Sequence, residues 1–164
     1  MNVTNFGSRK MRRNDSIVVE AQMLIRRSVT QVFEAFVNPQ ITTKFWFTKS
    51  SGRLELGKKV RWDWEMFGIG DDLTVKEFEE NQRILVEWNN DPTTVEWSFE
   101  SREDGTTLVK ISNWGFPDNW DEVLPLVVDA KGGYTMVLAG LKAWLEHGIE
   151  LNLVRDQFPD GCPS

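Results

Sequence analysis

The 164-residue sequence holds one cysteine, one histidine and one tyrosine. A lone thiol, Cys162, leaves no internal disulfide to close, and one His with one Cys supplies no zinc-ligand spacing, so neither a structural metal nor a cofactor is expected. Long apolar runs are missing as well. None approaches the ~20 residues needed to cross a bilayer, and the first sixteen residues lack the apolar centre of a secretory signal, which makes a cytoplasmic protein without a membrane span the expectation. No nucleophile elbow, P-loop or dinucleotide fingerprint occurs, so no motif names a reaction.

Tryptophan is what the chain has in excess, with eight residues. The hydrophobic share of 40% and charged share of 27% are those of an ordinary folded protein, and the length suits one domain with a sizeable core. So many aromatics fit either a packed core or a cavity. Charge is uneven. Residues 1–13 carry Arg9, Lys10, Arg12 and Arg13 and no acid, which leaves fifteen basic against twenty-five acidic residues, formally −10, from Asn14 onward. A body of that charge repels a phosphate backbone, so nucleic acid is not an expected partner. Residues 1–16 are read as a flexible basic arm, dispensable for folding, and 17–164 as a single domain.

Periodicity divides that domain. Ile17, Val19, Ala21, Met23 and Ile25 alternate with polar residues, the pattern of a half-buried strand. Ser28 or Thr30 then caps a helix whose Val29, Val32, Phe33, Phe36 and Val37 share one face; Pro39 ends it and opens a second short helix through Trp46. Period two returns at Val60, Trp62, Trp64 and Met66, with the Trp side inward. It continues at Leu73 and Val75 to about Phe78, then at Ile84, Val86 and Trp88, at Val95, Trp97 and Phe99, and at Val109 and Ile111. Short turns between these runs imply an antiparallel meander, and the sheet should have six or seven strands. After Pro117, with Asp118 as cap, Val127, Ala130, Tyr134, Leu138, Leu141 and Leu145 form the apolar stripe of a long helix reaching Gly148. Gly132 and Gly133 should weaken it by ~1 kcal/mol each and mark where it bends or breaks. The apolar residues Leu151, Leu153, Val154 and Phe158 suggest that the tail docks on the body.

The α+β order of a strand, two short helices, a long antiparallel meander and a C-terminal helix is that of the helix-grip fold. Val32-Phe33-Glu34-Ala35-Phe36, Phe45-Trp46-Phe47-Thr48, Gly57 before the Trp-rich strand, and Gly133-Tyr134 followed by Leu138, Leu141 and Leu145-Glu146 carry a closer likeness. In these residues the sequence, from about Ile17 to Gly148, resembles the START-like (SRPBCC) superfamily and its branch named for the activator of heat-shock protein 90 ATPase. Tyr134 stands where that branch usually has Trp, and residues 115–131 look longer than its minimal pattern. The resemblance implies a curved sheet wrapped around the long helix, commonly enclosing an apolar cavity.

For any one of Trp62, Trp64, Trp97 and Phe99, core packing is the simpler reading; collectively, the resemblance favours the lining of a cavity. With Asn113, Tyr134 and Leu138 they form the candidate ligand-binding set. Asn113 shares parity with Ile111, and Glu77 with Val75, so each is a candidate to project inward; because strand ends and bulges reverse parity, a solvent-facing position is the simpler reading for each. Asp63, Glu65, Glu87, Glu96 and Glu100 alternate with apolar residues and belong on the outer face, paired with Lys or Arg. His147 suits the negative end of the long helix, and Cys162 has no activating neighbour in sequence. The reading that follows is a non-enzymatic binder of a small apolar ligand. The alternatives are a protein-interaction module resembling a chaperone ATPase activator, and a cavity enzyme of cyclase or hydrolase type relying on Glu77.

Overall fold

Alternation sets the edge of the sheet and capping sets the turn out of it. In the computed structural model, which describes residues 17–90 and 92–162, strand β1 is Val19–Ile25, with Val19, Ala21 and Ile25 buried. The basic arm of residues 1–16 lies outside the described residues. Ser28 accepts a hydrogen bond from the Gln31 backbone N–H while the Gln31 side chain reaches back, a capping box that starts helix α1 (Val29–Val37). Its buried face is Val32, Phe33, Phe36 and Val37. Asn38 closes α1 and caps α2, which spans Pro39–Thr42 and so ends sooner than the expected Trp46.

Seven antiparallel strands make one sheet in the order β1-β7-β6-β5-β4-β3-β2. The remaining strands are β2 (Lys49–Ser50), β3 (Lys59–Trp64), β4 (Ile69–Glu79), β5 (Arg83–Trp88), β6 (Thr94–Ser101) and β7 (Thr107–Trp114). The two-residue β2 is too short for its alternation to show in sequence. Met66, expected to prolong β3, falls instead in a 3₁₀ turn at Glu65–Phe67, which Gly68 ends in the left-handed region at φ 65°.

Helix α3, Trp120–His147, lies along the concave side of the sheet. Its cap is Asn119, which accepts from the Asp121 N–H, rather than Asp118. The helix runs unbroken through Gly132 and Gly133, so it does not break at the pair expected to weaken it; its buried face further on, Val137, Leu138 and Leu141, holds it to the sheet. Lysines tie it to edge strand β1: Lys131 Nζ donates to the Glu20 carbonyl, and Lys142 Nζ to that of Leu24 at 2.8 Å. After Gly148 the chain folds back, forms the short α4 (Leu153–Asp156), and packs Val154 against the core.

The outer carboxylates find cations, as their parity implied. Asp63 pairs with Arg61, Glu87 with Lys76, Glu96 with Arg83 and Glu100 with Arg102. Glu65 instead begins the 3₁₀ turn.

Candidate functional site

A cleft of about 520 Å³ opens between the concave sheet and the N-terminal half of α3. On the sheet side, Trp64 of β3 and Trp88 of β5 face it, with ring centroids 6.3 Å apart. They point inward because both share parity with buried neighbours, Val60 and Trp62 in one strand and Ile84 and Val86 in the other. Across from them α3 contributes Ala130, Gly133, Tyr134 and Val137. The returning tail supplies the third wall through Val154, Phe158 and Cys162, and Phe158 sits edge-on to Phe67 at 6.1 Å. The expected docking of the tail therefore helps to build the cleft.

Asn113 and Tyr134 form its polar centre. Asn113 is 2% exposed, held between its register partners Val19 and Val95. Its Nδ2 donates to the Thr94 carbonyl at 2.9 Å, and its Oδ1 accepts from the Tyr134 hydroxyl at 3.3 Å. Trp46 crosses Tyr134 at near a right angle, with centroids 6.4 Å apart, and closes the inner end. A phenol and an amide fixed beside the aromatic rings of the wall can orient a small molecule without doing chemistry on it.

The candidate set splits in two. Trp64, Asn113 and Tyr134 line the cleft. Trp62, Trp97, Phe99 and Leu138 lie deeper, each at most 5% exposed, and pack the core. Trp62 and Trp97 stack in parallel, 5.9 Å apart and 9° inclined, and Phe47 also stacks on Trp62 at 4.1 Å. Phe33 and Phe36 each meet Phe99 edge-on at 5.2 Å.

Glu77 is not part of the cleft. A register shift between Val75 and Glu77 reverses parity, so Phe78 turns inward against Phe33 while Glu77 turns outward and pairs with Arg83. Two lining residues that the sequence reading passed over were within reach of simple alternation. Trp88 follows Ile84 and Val86, and Asp71 precedes Leu73 and Val75 on the inward parity of β4. Phe158 had no such signal, because only the fold brings the tail to the sheet.

A second hollow of about 220 Å³ lies beneath the tail and is bridged by the Lys44–Glu150 ion pair at 2.9 Å. Among the described residues, no group of three His, Cys, Asp or Glu is placed to hold a metal ion, and no helix is long and apolar enough to cross a membrane. His147 is exposed in the last turn of α3, and Cys162 is exposed at the cleft margin.

The sequence matches the family described as Activator of Hsp90 ATPase homolog 1-like protein over residues 26–146. No curated protein matches it. Among solved structures, the protein SSP2350 from Staphylococcus saprophyticus is similar at 29% identity and a TM-score of 0.72, over 82% of this chain and 96% of that one. DynU16, from the dynemicin biosynthetic locus, is similar at 21% identity and a TM-score of 0.71, over 81% of this chain and 48% of its own. The Aha1 protein of Colwellia psychrerythraea, a dimer in solution, aligns at 18% identity and a TM-score of 0.70, over 80% and 98% of the two chains.

Proposed function

This chain belongs to the Activator of Hsp90 ATPase homolog 1-like family, within the START-like helix-grip superfamily, and on that basis we propose that it binds a small hydrophobic or aromatic molecule between its sheet and α3. The observation that carries the reading is the aromatic-walled cleft in which a buried polar pair, Tyr134 and Asn113, is already held in place by its own hydrogen bonds. Prearranged polar groups in an aromatic wall orient a guest at little entropic cost. Tryptophans on two walls make the protein its own reporter. Titration with a varied library of apolar aromatic compounds should give a saturable fluorescence change and a raised thermal midpoint, and native mass spectrometry of freshly purified protein should reveal a co-purified guest. A library that produces neither signal defeats the reading.

Protein interaction is the second reading, favoured by a separate observation. Trp120, Leu124 and Val128 repeat every four residues on the outer side of α3 and are 61%, 55% and 63% exposed. A stripe of that kind suits contact with another protein surface. The two readings use opposite sides of one helix. A catalytic reading rests on an inward acid or base, and Glu77, its named candidate, has its carboxylate engaged by Arg83 on the outer side.

A further inference from the structure

The charge of the cleft wall is one-sided. Among the described residues that line it are two carboxylates, Asp71 and Asp129, and no Lys, Arg or His. Cations close to these two residues in sequence are engaged elsewhere: Lys76 pairs with Glu87 and Lys131 reaches the Glu20 carbonyl on β1, while Arg155 lines the second hollow instead of the cleft. Asp71 is the more informative of the two. It occupies an inward position of β4, directly opposite Trp62 in the register with β3 and two residues before buried Leu73. Parity at that place ordinarily selects an apolar side chain.

Its Oδ1 is occupied by the chain itself, accepting from the backbone N–H groups of Asp72 at 2.7 Å and Asn90 at 3.0 Å. Its Oδ2 takes no hydrogen bond among the described residues. Trp64 and Trp88 flank this carboxylate on the neighbouring strands and turn their rings into the same space. Aromatic faces beside a partly desolvated carboxylate are the chemistry that holds an ammonium group, through ring quadrupole and charge-assisted hydrogen bond together. The acidic body beyond the cleft adds a long-range attraction of the same sign.

Building on the ligand-binding reading above, we propose that the cleft selects aromatic molecules bearing a positive charge, with the Asp71 carboxylate as counter-ion and Trp64 and Trp88 as the walls that take the ring. A neutral analogue gains only the burial of its ring. An anionic analogue meets two carboxylates with no cation to offset them.

The test uses three probes that share one ring system, 2-naphthylmethylammonium, 2-naphthylmethanol and 2-naphthoate, titrated by calorimetry into the full chain and into the Asp71→Asn and Asp129→Asn variants. Asn at 71 keeps an oxygen for the two backbone N–H groups, so the variant retains that anchor, and the exposed Asp129 provides a variant with no buried contact to lose. For the native chain the ammonium probe should bind about tenfold more tightly than the alcohol, a difference of about 1.4 kcal/mol, and the carboxylate probe most weakly. Asp71→Asn should bring the ammonium probe to within about threefold of the alcohol, a remaining gap of ~0.7 kcal/mol, while leaving the alcohol unchanged. Asp129→Asn should reduce the preference by a smaller factor. Equal affinities for alcohol and ammonium, or a preference that survives Asp71→Asn intact, overturn the charge selection while the cleft stands as a binding site. Saturable binding by none of the three overturns both readings together.

Discussion

Two stretches of the same concave surface are built from the same residue types and end up in opposite states. Around Trp62 and Trp97 every ring meets another ring, as α1 and the residues after α2 press Phe33, Phe36, Trp46 and Phe47 into the sheet. Two residues further along β3, Trp64 faces a cleft. The strands do not cause the difference, since their alternation is continuous from Trp62 to Trp64 and from Val86 to Trp88. What changes is the opposing surface. Large aromatics meet the first stretch, whereas α3 brings mainly smaller side chains, Ala130, Gly133 and Val137 among them, beside Tyr134 to the second. In this fold the helix decides where the interior stays open.

The largest test of that contrast pits one tryptophan against another. Trp97→Ala should cost ~3–5 kcal/mol of stability, the usual range for truncating a fully buried large aromatic. Its indole N–H has no hydrogen-bond partner among the described residues, so Trp97→Phe should cost much less than the alanine variant. Trp88→Ala, on the open stretch, should cost clearly less in urea denaturation yet weaken binding of an aromatic probe. Equal losses for Trp97→Ala and Trp88→Ala would erase the distinction between filled and open interior.

The polar centre gives the next effect in size. Tyr134→Phe removes the hydroxyl that donates to Asn113 Oδ1, leaving a buried acceptor short of a partner, and should cost ~1–2 kcal/mol in a denaturant series. Probe affinity should fall in parallel. An unchanged midpoint would mean that Asn113 is satisfied without the phenol.

Most of the fold was legible because period two and period 3.6 were cleanly separated along the chain. The helix start at Ser28, one of two caps that the sequence offered, the Trp strand and the stripe from Tyr134 to Leu141 all stand where their spacing put them. The site was less legible for a physical reason. Alternation says that a side chain points inward and nothing about what lies opposite, so Trp62 and Trp64 read alike although one is core and the other wall. Glu77 faces solvent, the simpler of its two readings, but the bulge that turns it costs one residue of parity and leaves no compositional mark that alternation could locate. Asp71 was hidden by its neighbours, Gly70 and Asp72, which made the start of β4 resemble a turn.

Glycines on α3 sharpen the comparison at about 1 kcal/mol. A Cβ built on Gly140, where α3 packs closely on Phe45 beside the second hollow, would lie 3.1 Å from Phe45 Cβ and 3.4 Å from its carbonyl oxygen. At Gly133, on the open stretch, it meets nothing within 4 Å. Helix propensity alone favours Ala over Gly by ~1 kcal/mol at either place. Gly133→Ala should therefore raise stability by up to about that amount, while overpacking of ~1–3 kcal/mol turns Gly140→Ala into a net loss of about 1 kcal/mol. Thermal midpoints moving in opposite directions would uphold the contrast. A gain at both positions would show that Phe45 yields and that α3 sits less tightly there than its contact distances imply.

The smallest effect concerns how the filled stretch is fastened from outside. Arg53, in the loop before β3, grips Glu34 of α1 through two parallel contacts, Nη1 to Oε1 at 2.6 Å and Nη2 to Oε2 at 2.7 Å. The hydrogen bond from Arg53 holds the Glu34 carboxyl below its ordinary value, helped by the Arg53 charge and by a hydrogen bond from Asn38. A carboxylate depressed on folding contributes stability above its unfolded pKa, and that contribution disappears as pH falls through the lower folded value. Both partners are more than a third exposed, so screening limits the pair to under ~1 kcal/mol. Arg53→Gln should accordingly lower the urea midpoint slightly at pH 7, less in 0.5 M salt, and the gap from the native chain should close as the carboxyl titrates. Probe affinity should not move, since α1 backs the filled interior and not the cleft. A gap that persists undiminished in acid would assign the contribution to packing of the Arg53 stem instead of its charge.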